Sequence, residues 1–511
     1  MTQIQRLPRN NNKPDSSMWV DEAIWGHRLH DEQSPALTYL EFVNIFCHEV
    51  KTGRGFSEGA YNTLAYKPAK RLHLRNILFN NPKLDEIRKQ NIPDEHKWKV
   101  WLDVMSESNI GTYTHYDYLK EHFNSFDDFC DICSIIRSTS YELKSNKRWT
   151  SKFVFPYGVD CLYEDLDNNA ATNDRRFFGR TGELLYLMFC RSAKKVELLN
   201  LLQTKILQTN SIWNSLVKCL QPDPQNEDSS LRAGSYLPYK NHIAFDHLTE
   251  DWISILSLNM PGFDVIPHLI NLVGLHVLRY QLLVSHQISQ TTAPLRLICE
   301  IVAPKKTLVR ELSCNNYQDN NELSQRAIYA YISEIESSQE WRDAITGHGA
   351  CLACKNILDT QVCWPGDDYE GNNNPETLIA ELKAAAIKRH RQHVANVHRN
   401  YGRDIGLVSK RGTVKLRYAP NDSLLKSLLY TNVQERMELH QFLAKLFTRY
   451  NIVLGDKEAE QVLAGDEYEK KAFQANARRI EHRLTSLGLI KRLSDGCAYV
   501  INPYHGSING S

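Results

Sequence analysis

The chain has 511 residues, 42% hydrophobic and 24% charged, with 61 Lys or Arg against 60 Asp or Glu. This composition excludes disordered and fibrous classes, and at roughly 150 residues per domain it leaves room for two to four domains. Twelve cysteines are too sparse for a disulfide scaffold.

Residues 1–17, MTQIQRLPRNNNKPDSS, are polar without the apolar run of a signal peptide, so a loose tail and a cytoplasmic protein with reduced thiols are expected. An N-terminal helical region is expected over 18–220. There, FDDFCDICSIIRS (126–138) and GELLYLMFCRSAKKVELLNLLQTKIL (182–207) repeat apolar residues at helical spacing. Cys130 and Cys133 fall on the apolar stripe and read as core thiols. Trp19, Trp25, Trp98 and Trp101 read as core or interface anchors. Clusters of Asn, Asp, Gly, Pro and Ser at 166–174 and 221–234 mark breaks.

A middle helical region follows over 235–375. Its greasiest stretch, VIPHLINLVGLHVLRYQLLV (265–284), is interrupted by His268, Asn271, His276 and Arg279. A membrane span wants about 20 mostly apolar residues, so this is a buried helix and no membrane contact is expected. A basic helical connector runs over 376–420, a small domain over 421–504, and a tail over 505–511. The fold class expected is predominantly α and multidomain.

The net charge of +1 is unevenly spread. Residues 382–418 hold ten Lys or Arg against one acid, Asp404, and the last 130 residues together carry +10, leaving −9 for the first 381. A basic portion on an acidic body points to nucleic-acid contact or to attraction between two parts of one protein.

Within 421–504, RMELHQFLAKLFTRY, DKEAEQVLAG and KKAFQANARRIEHRLTSLGL read as three helices. In the third, Phe473, Ala477, Ile480, Leu484 and Leu487 share one face, while Lys471, Arg478, Arg479, His482 and Ser486 lie opposite, with Asn476 and Arg483 on the flanks. LIKRL, a Ser494-Asp495-Gly496 turn and CAYVI form a hairpin. Three helices and a hairpin are the layout of a winged helix-turn-helix with a β-hairpin wing. From 470 to 492 there are seven Lys or Arg and one acid, Glu481, the footprint that phosphate binding needs. Arg478, Arg479, His482 and Arg483 are expected at a DNA groove. Lys491 and Arg492 on the wing, with Arg389, Arg391, Lys410 and Arg411 of the connector, are expected on phosphates.

His348, Cys351, Cys354 and Cys363 form H-x2-C-x2-C-x8-C. Two readings stand side by side, a structural zinc held by one imidazole and three thiolates and inert buried cysteines. The second pair is not another C-x2-C, which favours the inert reading. No phosphate-cradling glycine loop, zinc-protease helix or nucleophile elbow is present. Asp160, Glu164, Asp165 and Asp167, with Arg175, Arg176 and Arg180 nearby, could form a magnesium nuclease centre, but the usual acid-x-Lys is missing and an acidic loop fits better. His390, His393 and His398, on a basic helix, read as solvated or phosphate-facing. No catalytic residue is assigned.

The phrases FPYGVDCLYEDL (155–166), RRFFGRTGELLYLMFCRS (175–192), DHLTEDWISILSL (246–258), KLRYAPNDSLLKSLL (415–429) and ARRIEHRLTSLGLIKRLSDGCAYVINP (477–503) together resemble a group of bacterial proteins encoded in anti-phage defence islands. Among these, the resemblance is to the non-enzymatic component of the methylation-associated defence system. It implies recognition or assembly beside a methyltransferase, an ATP-binding protein or a nuclease, with double-stranded DNA and other defence subunits as partners. It carries no active-site residues across. A pure protein scaffold and a cryptic nuclease or toxin effector are the competing readings.

Overall fold

The computed structural model describes residues 20–27, 29–57, 64–67, 71–81, 83–108, 116–138, 140–142, 152–154, 158–161, 179–208, 210–222, 232–233, 235–362, 374–410, 415–463, 465, 467–494 and 497–505. Among them the protein is predominantly helical with only short strands. No helix is long and apolar enough to cross a membrane. Two compact units interleave along the chain. One comprises Leu37–Tyr186 and Leu199–Gly234, the other Met1–Ala36, Leu187–Leu198 and Ser235–Ser511.

The smaller unit is built on aromatic packing. In the helix Phe126–Ser138, Phe126, Phe129, Cys130, Cys133 and Ile136 recur at steps of three and four, and all are buried. Phe126 and Phe129 pack against Trp98 and Trp101 of the helix Asp94–Ser108 with ring centroids 4.9–6.4 Å apart. The Trp101 indole donates to Asn81 Oδ1 at 3.0 Å, which satisfies its one polar atom. Burial pushes the Cys130 thiol up to about 12, so it packs as a protonated apolar group. A buried polar cluster lies elsewhere in this unit. Tyr66 donates to Glu183 Oε1 at 3.1 Å, Arg180 holds Glu183, and Glu41 accepts the Gly182 amide at 2.8 Å.

The larger unit centres on the helix Gly262–Ile288. The polar residues that interrupt its apolar run are where other elements attach to it. His268 Nδ1 lies 2.7 Å from Ser427 Oγ, and Asn271 donates to Ser423 and Ser427 at 3.0 and 2.9 Å, fixing the helix Asp422–Asn432. His276 meets Asp251 of the helix Ile243–Leu256 at 2.7 Å. The Tyr280 hydroxyl donates to Trp25 O at 3.0 Å, and Gln281 donates to Val394 O at 3.3 Å. Buried polar groups need such partners, and here the partners fix the helix's neighbours. Gly274 is required by contact, because a Cβ there would overlap Ile405 and press on Pro35.

The helix Leu308–Ser337, capped by the Thr307 side chain, packs on Gly262–Ile288 and on the helix Pro375–His393. The latter starts with Asn374 accepting from Glu376 N and Pro375 in its first turn, a favourable start because proline has no N–H to leave unbonded there.

The C-terminal part contains the helix Leu439–Tyr450, the strand Ile452–Val453, the helices Asp456–Val462 and Lys470–Ser486, and the strands Ile490–Ser494 and Cys497–Ile501. The last strand pairs antiparallel with Ile490–Ser494 on one side and with Arg436–Glu438 on the other, registering Ile490 with Val500 and Tyr499 with Glu438. Ile452–Val453 pairs in parallel with Leu297–Ile298. Ile298, Val309, Val453, Ala459, Leu463 and Phe473 form one apolar cluster, so this part shares its core with the middle of the chain.

Candidate nucleic-acid interface

The helix Lys470–Ser486 buries Phe473, Asn476, Ile480 and Leu484, four residues within one stripe at helical spacing. Asn476 is the polar member and is fully used. Its Oδ1 accepts the Ile301 amide at 2.8 Å, and its Nδ2 donates to Cys299 O at 2.9 Å and Leu454 O at 3.0 Å. Those bonds set the helix's rotation and so decide which cations face outward.

The basic residues named from sequence divide into two groups. Arg479 turns inward and donates to Ile301 O at 3.1 Å and Asn476 Oδ1 at 3.4 Å, and burial lowers its pKa from the ordinary guanidinium value. Arg483 bonds Asp422 and the Pro420 carbonyl. Arg492 folds back onto Glu481. Arg389 holds Asp21 at 3.2 Å and Glu22 at 2.8 Å, both buried acids. These four guanidinium groups are engaged by the protein's own acids and carbonyls, Arg492 at the surface. By contrast, Arg391, Lys410, Arg478, His482 and Lys491 are exposed, and their side chains make no hydrogen bond or ion pair among the described residues. Lys471, which shares the outer face with Arg478 and His482, is likewise exposed and unpaired. Arg411 lies outside the described residues.

His348 is exposed in the turn that precedes the helix Ala350–Val362. Cys351 and Cys354 sit on the helix Ala350–Val362, with Cys354 buried and its thiol pKa raised by burial. Cys363 lies outside the described residues, and no group of three or more His, Cys, Asp or Glu among those described could hold a metal ion. Asp160 is held by Asn214 Nδ2 at 2.8 Å and Arg71 at 3.4 Å, while Glu164, Asp165, Asp167, Arg175 and Arg176 lie outside the described residues.

His390 and His398 correct the expectation of solvated or phosphate-facing rings. They are 3% and 2% exposed, and their Nε2 atoms meet Ser324 Oγ at 2.9 Å and the Tyr418 hydroxyl at 2.8 Å. Burial pushes their pKa values down to about 4 and about 3, so both are neutral. The error has a physical origin. Lys and Arg flank these histidines in sequence, but the Pro375–His393 helix is packed on its other side, and the following helix Val397–Asp404 buries its own.

A polar pocket of about 230 Å³ lies among Lys194, Glu250, Asp251, Asn432, Lys445 and Arg449. Asp251 in its wall accepts from His276, Tyr450 and Arg449. These partners hold its carboxyl below the usual range although burial opposes them. With Arg449 also on Glu250 and Lys445 on the Asn432 carbonyl, the network is closed. It locks helices together, and among the acids lining the pocket Glu197, exposed, is the one that makes no side-chain bond among the described residues.

No protein-family model, curated protein or solved structure matches this chain, so only its own residues bear on its role.

Proposed function

We propose that the chain binds duplex nucleic acid through a C-terminal winged helix, as a non-enzymatic component of a bacterial anti-phage defence system. In this reading Lys470–Ser486 is the recognition helix and the hairpin of Ile490–Ser494 with Cys497–Ile501 is the wing. The observation that supports it is the unspent charge. Lys471 and Arg478 stand exposed beside His482 on one helix face, their side chains unpaired among the described residues, with Lys491 exposed on the adjoining hairpin. Cations already bound to protein acids have little to offer a phosphate, whereas free ones release counterions from DNA when they dock.

A second reading, docking of a partner subunit, is favoured by apolar side chains at the surface. Leu352 is 66% exposed and Ile345 43% exposed, on neighbouring helices that carry no part of the basic face.

The test is fluorescence anisotropy of the full-length protein with a labelled 20-base-pair duplex across a salt series. Binding should weaken steeply with salt. In Lys471→Ala/Arg478→Ala/Lys491→Ala the slope of log K against log salt should flatten by about 2.7, at roughly 0.9 per lost phosphate contact. Duplex affinity that the triple variant leaves intact, or no binding at 50 mM salt, would reject the DNA reading.

A further inference from the structure

A second basic feature lies on a different surface. The helices Leu308–Ser337 and Pro375–His393 pack side by side, tied by His390 to Ser324 at 2.9 Å and by Lys383 to Glu336 at 2.7 Å. From Ser324 on to Glu336 along the first helix, the partner moves back from His390 to Lys383 along the second, so the helices run antiparallel. Between the ties lies a groove of about 480 Å³, lined by Tyr329 on one helix and by Ala384, Ile387, Lys388 and Arg391 on the other. These four recur at i, i+3, i+4 and i+7, one stripe of the helix.

Three properties of the groove point to a ligand. Tyr329 is 42% exposed and makes no hydrogen bond or ring contact among the described residues, so an aromatic ring stands at the surface unused. Lys388 and Arg391 are exposed, one helical turn apart, and form no ion pair among the described residues, unlike Arg389 between them, which is spent on Asp21 and Glu22. The groove is open to solvent along the surface, whereas sites for free small molecules enclose most of their ligand.

We infer that this groove binds single-stranded nucleic acid, with a base stacked on Tyr329 and the adjoining phosphate held by Lys388 and Arg391. An exposed ring beside paired cations suits a ligand that is planar and anionic in alternation. Ring stacking accepts any base, so the contact is indifferent to sequence. The inference stands apart from the winged-helix face and uses none of Lys471, Arg478, His482 and Lys491; it reassigns Arg391, which the sequence placed among the connector's duplex-phosphate contacts.

The experiment measures anisotropy of a labelled pentathymidylate, with adenosine monophosphate and a polyglutamate peptide as competitors. All proteins carry Lys471→Ala/Arg478→Ala/Lys491→Ala, so that the C-terminal face neither supplies nor masks binding. Expected is salt-dependent binding that Tyr329→Leu weakens about fivefold or more and Tyr329→Phe retains. Lys388→Ala/Arg391→Ala should weaken it at least about tenfold and flatten the salt slope by about 1.4, at roughly 0.7 per single-strand phosphate. These positions are exposed, so unchanged circular dichroism should accompany the losses. Absence of binding at 50 mM salt would overturn the inference, as would binding indifferent to Tyr329→Leu. Equal competition by polyglutamate would assign the groove to acidic peptides instead. Adenosine monophosphate competing as well as unlabelled pentathymidylate would assign it to free nucleotides.

Discussion

Around Asp251, a carboxylate 1% exposed, His276, Tyr450 and Arg449 converge, and Arg449 goes on to Glu250. On the outer face of Lys470–Ser486, Lys471, Arg478 and His482 converge on nothing. The two regions draw on similar side chains and differ in whether a partner is within reach. Where the charge is buried, a missing partner would cost several kcal/mol. Where it is exposed, water serves as the partner and the charge stays available. Charge counted along a sequence is thus a poor guide to charge on offer.

The comparison breaks first at its buried end. Asp251→Ala takes the carboxylate from His276 and removes one partner each from Arg449 and the Tyr450 hydroxyl, and should cost about 3–5 kcal/mol, read from urea denaturation. Equal midpoints for variant and wild type would show that the network carries no stability.

The buried region should also be sensitive to acid. Burial depresses the pKa values of His242, His247, His268 and His390 to about 4, against about 6.5 when unfolded. Between those values the unfolded chain binds more protons, so stability falls as pH drops from about 6.5 towards 4. Asp21 and Asp31, raised to about 6 by burial, act in the opposite direction but are fewer. The melting temperature should fall by about 5 °C or more between pH 7 and pH 5. A flat profile in scanning calorimetry would contradict the neutral-histidine assignment.

Asn476→Ala comes next. It removes one side chain that serves three backbone groups, Ile301 N, Cys299 O and Leu454 O, all in buried residues, and should cost about 1–3 kcal/mol. Smallest is the contrast between neighbours. Arg479→Ala should cost about 1 kcal/mol through its bond to Ile301 O, whereas Arg478→Ala should stay within about 0.5 kcal/mol. Parallel urea titrations of the two variants measure that difference directly.

What was legible in the sequence was periodicity. Of the stripe Phe473, Ala477, Ile480, Leu484 and Leu487, Phe473, Ile480 and Leu484 are buried and Ala477 and Leu487 half-buried, and the interrupted apolar run at 265–284 forms one buried helix. What was not legible depends on residues far away in the chain. Arg478 and Arg479 are neighbours in sequence and both fall on the half of the helix away from the apolar stripe, and Ile301, 178 residues upstream of Arg479, separates their roles. The same holds for His390, whose partner Ser324 lies 66 residues away. The pairing of Leu297–Ile298 with Ile452–Val453 involves two residues on each side, too few for alternation to signal a strand. Tyr329 carried no signal at all, since an exposed and a buried tyrosine at helical spacing look alike until the packing is known.

The parallel pairing and the reach of Asn476 also bear on how the chain is made. The Ile301 N–H donates to a side chain 175 positions later. At about 5–20 residues per second, the stretch around 297–301 leaves the ribosome about ten to thirty-five seconds before its partner exists. Over that interval it presents an unpaired strand edge flanked by apolar side chains, the kind of surface that invites aggregation. The middle of this protein is therefore where a chaperone would be expected to hold the nascent chain, and release should follow synthesis of the helix that carries Asn476.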